Sequence, residues 1–259
     1  MNMKVSKEWW KNFFDHIYLI TDARSVNNEK LTRREVDLLE KALKPAKDDA
    51  ILDFCGGQGR HSLELARRGY SNLTVLDYSR YLVRLGKQLA KEAHYNIRFK
   101  CADARDSGLK SNAYSIIFIM ANSFGYFPNE RDNLRILHEA HRLLKPRGKI
   151  LLDLSDPDFI RKSITPLSWH EADNDIVVCR HRIISKDIVK AREMVISKTK
   201  GLIRDRFYCE RIYDREKMTS LLRRVGFCKP KIQKNVLLHR MKGDYGFLTS
   251  RMIITATKP

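Results

Sequence analysis

AILDFCGGQGRHSLELARRGY, residues 50–70, runs from an apolar strand through three glycines into a helical pattern. Residues 50–54 have the length and apolarity of a buried strand, and residues 58–68 read as a helix that Gly69 stops. Such a turn aims backbone N–H groups at a ligand, commonly phosphate-like or nucleoside-like. The dinucleotide pattern G-x-G-x-x-G is nearly met by Gly57-Gln58-Gly59-Arg60-His61-Ser62, with Asp77 at about the right distance of ~20 residues. The pattern alone therefore leaves NAD open. Three details point elsewhere. Asp53 ends the strand four residues before Gly57, where its carboxylate repels a pyrophosphate and suits a cationic or hydrogen-bond-donating ligand. The bulky pair Arg60-His61 stands where dinucleotide binding wants close helix packing. A third acid, Asp103 in CADARD, ends another strand, placed to cap an adenine amino group.

Outward from the turn, the chain alternates. Strands are expected at 72–77, 97–100, 114–120 and 149–154, and helices at 79–93 and 129–144, the latter closing at KPRG. The apolar YSIIFIM suits the centre of a parallel sheet. Alternation on this scale predicts an α/β doubly wound sheet with right-handed crossovers. Asp53, Asp77 and Asp103 then end three strands around one crevice, where open α/β sheets bind ligands. Before the sheet, Trp9, Phe13, Ile17 and Ile20 recur at helical spacing. Thr32 and Glu35 read as the capping box of a second helix, stopped by Pro45. Residues 1–45 are expected to form a helical cover. After residue 157 the rhythm breaks into β-branched runs separated by SKD and KTKG, which predicts a three-stranded antiparallel insert over 158–212. A helix at 215–226 and strands at 229–240 and 250–258 complete the sheet, so the main domain comprises 46–157 and 213–259.

Composition narrows the class. The 259 residues are 43% hydrophobic, enough for a packed core. No apolar run reaches the roughly 18 residues that span a bilayer, and charges interrupt the N-terminal aromatics, so a soluble cytoplasmic protein without membrane contact is expected. Cys55, Cys101, Cys179, Cys209 and Cys228 are scattered without a CxxC, which suggests neither disulfides nor a metal site. The net charge is +19, and residues 159–259 hold 23 Lys and Arg against 10 Asp and Glu. Such an excess attracts polyanions or serves as a solvated surface.

The constellation resembles the class I S-adenosylmethionine-dependent methyltransferases. Their D/E-x-G-x-G-x-G turn is met by Asp53-Phe54-Cys55-Gly56-Gly57-Gln58-Gly59, with Cys55 in place of the first glycine. Their ribose-binding acid matches Asp77, and their adenine-side acid matches Asp103. YSIIFIMANSFGYF and LLKPRGKILLDL resemble the fourth strand, following turn and fifth strand of that family. The resemblance covers roughly residues 50–155 and the final helix and strand pair. It implies a Rossmann-like seven-stranded sheet with an antiparallel last strand, and S-adenosylmethionine as cofactor. It further implies a cofactor site of Tyr18, Asp53, Cys55, Gly56, Gly57, Gly59, Arg60, His61, Asp77, Tyr78, Asp103, Ala104, Ala121 and Asn122. Tyr18 corresponds to a tyrosine that covers the cofactor from an N-terminal helix.

The acceptor side is open. Ser123 and Tyr126 follow the fourth strand, Trp169 and His170 begin the insert, and Arg182 and Arg211 lie on it. His170 and Tyr126 are the candidate proton-handling groups, and Ser123, Trp169, Arg182 and Arg211 the candidate acceptor contacts. Methyl transfer from a sulfonium needs alignment and exclusion of water more than a nucleophile or metal. A small-molecule N, O or C acceptor is expected, with the chain a monomer or homodimer. An RNA methyltransferase is the alternative, motivated by the basic C-terminal region. Against it, ANSF stands where base-amino methylation often uses Asn/Asp-Pro-Pro-Tyr, and no Pro-Cys pair serves cytosine C5 chemistry. An NAD-binding oxidoreductase or a nucleotide-binding module is the third class.

Overall fold

The computed structural model describes residues 3–239 and 245–259. Strands β1 (Ile51–Phe54), β2 (Leu73–Asp77), β3 (Ile97–Cys101), β4 (Tyr114–Ile119) and β5 (Leu144–Ser155) run parallel. The last two strands of the chain are β10 (Cys228–Val236) and β11 (Arg251–Thr257). The sheet order is β10-β11-β5-β4-β1-β2-β3, with β11 antiparallel to both its neighbours. The expected final strand at 229–240 thus ends at Val236, and Arg240 lies outside the described residues.

Residue parity divides the sheet into two apolar faces. Leu52, Phe54, Ile117, Ile119 and Leu152 face a core shared with helices α6 (Glu130–Leu143) and α8 (Arg215–Val225). Ile51, Ile116, Phe118 and Leu151 face the opposite core, built with α3 (Glu29–Leu43) and α4 (Arg60–Arg67). Helix α5 (Arg80–Glu92) starts where expected, with Ser79 Oγ accepting from Leu82 N at 3.1 Å. Order reverses between β1 and β4, and the glycine turn sits at that switch point.

Four expectations are corrected. The N-terminal aromatics do not share one helix. A 3-10 turn at Trp9–Lys11 gives way to α1 (His16–Thr21) and α2 (Ala23–Val26). Asp15 caps α1, accepting from the N–H groups of Ile17 and Tyr18 at 2.9 and 3.2 Å, so the chain restarts there. Helix α3 begins before the expected capping box: Asn28 is its N-cap, accepting from Leu31 N at 3.0 Å, and Glu35 is fully buried mid-helix. Strand β5 begins before the expected residue 149: α6 ends at Leu143, within a residue of its expected end, and the chain passes directly into β5. The insert has four antiparallel strands: β6 (Leu167–Glu171), β7 (Ile176–Ser185), β8 (Ile188–Ser197) and β9 (Gly201–Arg211). The short polar LSWHE lacks the β-branched run that marks the other three, and α7 (Pro157–Ser163) precedes it. No helix among the described residues is long and apolar enough to cross a membrane.

Candidate active site

A cleft of about 980 Å³, its open mouth included, lies over the C-terminal ends of β1, β2 and β4. Asp53 ends β1 with 1% of its surface exposed. Its Oδ2 accepts from Ser62 Oγ at 3.0 Å, while Oδ1 is buried without a partner among the described residues. Burial pushes the Asp53 carboxyl up to about 7, against the opposing hydrogen bond from Ser62. A cationic donor is the natural complement of that oxygen. Gly56 passes directly over the same carboxyl: an added Cβ would sit 2.5 Å from it. Gly57 and Gly59 take φ of 59° and 75°, and Gly59 starts α4. Cys55, in place of the family's first glycine, is itself left-handed at φ 65°, a conformation a side chain enters at a cost. Its thiol is held well above its usual pKa by burial and by Asp77 and Asp53, so it is inert as a nucleophile.

Asp77 receives the Gly57 N–H on Oδ2 and the Ser79 N–H on Oδ1, both at 2.8 Å, which fixes its orientation into the cleft. Asp103 and Ala104 line the cleft too, but the Asp103 carboxylate is forked by Arg105, 2.6 Å at the closest pair. Arg105 in turn lies over the Phe127 and Trp10 rings, at 4.5 and 5.2 Å. The roof is aromatic: Trp10, Phe14 and Tyr18 descend from the N-terminal cover, and Ser79 Oγ donates to the Phe14 carbonyl at 2.7 Å. Tyr78 lies edge-on against Trp10, 4.6 Å between centroids.

Arg60 and His61 line the cleft, with polar atoms turned to Glu35. His61 Nε2 is 3.0 Å from Glu35 Oε2, and Arg60 Nη1 bonds the same oxygen and, at 2.8 Å, Thr32 Oγ1. Arg251, with no exposed surface, approaches Glu35 and Asp153 at 2.6 and 2.7 Å. Asp153 accepts the Ala121 N–H at 2.9 Å, so this buried cluster ties α3, α4, β5 and β11 to the end of β4. Desolvation and the Arg60 charge bring His61 down to about 4, which leaves it a neutral imidazole. Nothing in the sequence reading marked Arg251 or Asp153.

Beyond a wall shared by Phe14, Tyr18, Val26, Ala121 and Tyr126, a second chamber of about 640 Å³ opens under the insert. Asn122, expected at the cofactor, belongs to this chamber, while Ser123, expected at the acceptor, lines the cleft. Ala121 and Asn122 are consecutively left-handed, at φ 54° and 58°. Their N–H groups go to Asp153 Oδ2 and the Asp153 carbonyl, both at 2.9 Å, and the Asn122 Oδ1 accepts from Ser155 N. Arg182 lines the chamber, donating to Thr165 O and Ser168 Oγ at 2.9 and 3.0 Å. Asp22, Arg180, Glu193, Tyr208 and Glu210, none singled out from sequence, line it as well. Tyr126 sits on the shared wall, its phenol kept neutral by burial.

Three expected acceptor-side residues lie elsewhere. Trp169 stands 71% exposed on the sheet-edge strand β6. His170 is turned to the cover, its Nε2 3.1 Å from the Thr21 carbonyl. Arg211 donates to the Pro128 carbonyl at 2.5 Å and lines only a small neighbouring crevice. Strand alternation decides these positions: Tyr208 and Glu210 of β9 point inward and Arg211 does not. No group of acids, histidines and cysteines able to hold a metal occurs among the described residues.

Fold and cleft together define a switch-point ligand site of the nucleoside-binding kind. The partnerless Asp53 oxygen, the Gly56 cradle and the anchored Asp77 fit S-adenosylmethionine, a ligand with an ammonium, a sulfonium and a ribose. Residues 51–148 match the family model described as a methyltransferase domain. The ubiquinone/menaquinone biosynthesis C-methyltransferase UbiE of Geotalea daltonii is 33% identical over 125 residues, 46% of this chain and 52% of that one. The chain thus spans about half the length of that relative. The putative methyltransferase YqeM of Bacillus subtilis is 23% identical over 85% of this chain and 87% of its own. Among solved structures, an S-adenosylmethionine-dependent methyltransferase from Clostridium acetobutylicum superimposes with a TM-score of 0.74, covering 95% of this chain and 98% of its own at 17% identity.

Proposed function

We propose that the chain transfers a methyl group from S-adenosylmethionine to a nitrogen, oxygen or carbon of a small molecule held in the second chamber. The observation that carries this reading is the pair of adjoining cavities, one fitted to the donor and the other walled from it only by Phe14, Tyr18, Val26, Ala121 and Tyr126. When bound, the cofactor supplies a methyl group already activated on a sulfonium. The protein's part is placement. Asp53 holds a cationic group, Asp77 accepts from hydroxyls, and the aromatic roof excludes water from the line of transfer.

A small acceptor suits the insert better than RNA does. Three arginines of the basic C-terminal region are engaged internally. Arg180 bridges Asp22 and Glu193, Arg204 bridges Asp15 and Glu193, and Arg192 pairs with Asp205. The Arg180–Asp22 and Arg204–Asp15 contacts tie the insert to the cover. All five thiols are unpaired, which suits a reducing, cytoplasmic compartment.

The test uses purified protein, labelled S-adenosylmethionine and a cell extract stripped of its own donor, with products separated into low-mass, RNA and protein fractions. Label in the low-mass fraction is expected. Label in ribonuclease-sensitive material would overturn the acceptor class.

A further inference from the structure

One carboxyl of the second chamber has no cation within ion-pair distance among the described residues. Three carboxyls, those of Asp22, Glu193 and Glu210, and two guanidiniums, those of Arg180 and Arg182, line it among the described residues. Arg180 lies 3.0 Å from Asp22 and 2.8 Å from Glu193, and Arg204 takes the other Glu193 oxygen at 2.6 Å. Glu210 differs. Its hydrogen bond comes from the neutral amide of Asn122, Nδ2 to Oε2 at 2.5 Å, and no described Lys or Arg stands within ion-pair distance. Six aromatic side chains line the same chamber: Trp9, Phe13, Phe14, Tyr126, Tyr208 and Phe247. A carboxylate in a chamber lined by aromatic rings is the chemistry that selects an organic ammonium. Asn122 directly follows Ala121, which belongs to the wall shared with the donor cleft, so a group held by Glu210 stands beside that wall.

We infer that the acceptor is a small primary or secondary amine, and that Glu210 orients its ammonium and takes the proton that must leave before nitrogen is methylated. This rests on the methyl-transfer reading and names its substrate class. One N–H bond of the ammonium breaks, the proton passes to the Glu210 carboxylate, and the electron pair stays on nitrogen. That pair then forms the N–C bond as the carbon–sulfur bond of the sulfonium donor breaks, its electrons leaving on sulfur as a thioether.

The proton balance suits an amine. Burial pushes the Glu210 carboxyl up to about 8, opposed by the Asn122 hydrogen bond. Asp22, between α1 and α2, adds to the rise, and Arg182 and Arg180 on β7 oppose it. Glu193 on β8 and the un-ionised phenols of Tyr126 and Tyr208 complete its surroundings. An alkylammonium loses its proton near pH ~10, close enough for transfer to such a group, whereas an unactivated hydroxyl is far out of reach.

The experiment loads the protein with S-adenosylhomocysteine and titrates it with benzylamine, cyclohexylamine and phenethylamine, each against its matched alcohol. Calorimetry and thermal shift are read from pH 6 to 10. At least one amine is expected to bind at least tenfold more tightly than its alcohol, best between the Glu210 and amine pKa values. Glu210→Gln is expected to weaken the amine tenfold or more and to abolish the low-pH limb, with S-adenosylhomocysteine binding retained. Equal affinity for amine and alcohol, no amine binding, or undiminished amine affinity in Glu210→Gln overturns the inference. Should Glu210→Gln lose the S-adenosylhomocysteine shift through misfolding, the wild-type comparison of amine with alcohol decides. Failure of the wild type to bind S-adenosylhomocysteine overturns the methyl-transfer reading instead.

Discussion

At the scale of single residues, the cleft is governed by one carboxyl and the glycine above it. Because Asp53 is pushed up to about 7, acidification neutralises the group proposed to answer the ligand's ammonium. Calorimetry is expected to show S-adenosylhomocysteine affinity falling about tenfold per pH unit below pH ~7. Asp53→Asn should bind weakly throughout and lack that limb; an unchanged profile in the variant would locate the titrating group elsewhere. Gly56→Ala puts a methyl group 2.5 Å from the Asp53 carboxyl, which must then move. A loss of about 1–3 kcal/mol in ligand binding is expected from such overpacking, read by the same titration. The position of both residues in the cleft was legible in the sequence, because a buried strand running into three glycines sets that turn. The acceptor residues were not. Trp169, His170 and Arg211 are chemically plausible, but the pairing of β6 with β7 and the parity of β9 decide where they point. Glu210 was passed over in FYCERIYD because its inward position follows from a register that only the folded insert fixes.

At the scale of elements, the buried cluster of Glu35, Arg60, His61, Arg251 and Asp153 joins helices to strands around the cleft. Removing one charge leaves others without compensation. Arg251→Met is expected to lower stability by about 3–5 kcal/mol, read from urea midpoints, and to loosen the end of β4 through Asp153 and Ala121. His61 contributes a pH signature. Its folded pKa of about 4 lies below the unfolded value of about 6.5, so the unfolded chain binds the extra proton between them. Stability from this residue is complete above pH ~6.5 and is lost as pH falls toward 4. Relative to His61→Gln, the wild type should therefore lose stability across that window, by up to ~3 kcal/mol. A constant difference between the two would contradict the neutral buried imidazole. Glu35 illustrates how local sequence misleads: Thr-x-x-Glu is a capping signature, yet Asn28 starts the helix one turn earlier and frees Glu35 for the interior. The break of the first helix at Asp15 has a similar origin, since a cap on Ile17 and Tyr18 outcompetes apolar periodicity.

At the scale of the molecule, the alternating strands and helices and their crossovers followed from hydrophobic period and glycine placement, and the antiparallel last strand from the family resemblance. The two-cavity plan did not, because it depends on long-range contacts between the insert and the cover: Arg204 to Asp15, Arg180 to Asp22 and His170 to Thr21. Two of them engage arginines of the basic C-terminal region, Arg180 and Arg204. The two cavities share a wall of five residues. The most direct measurement is calorimetric titration of the purified chain with S-adenosylhomocysteine and, separately, with NAD at pH 8. Saturable one-to-one binding of S-adenosylhomocysteine, lost in Asp53→Asn, with no heat from NAD, is the expected result. Binding of NAD, or no binding of S-adenosylhomocysteine, would contradict the assignment of the cleft.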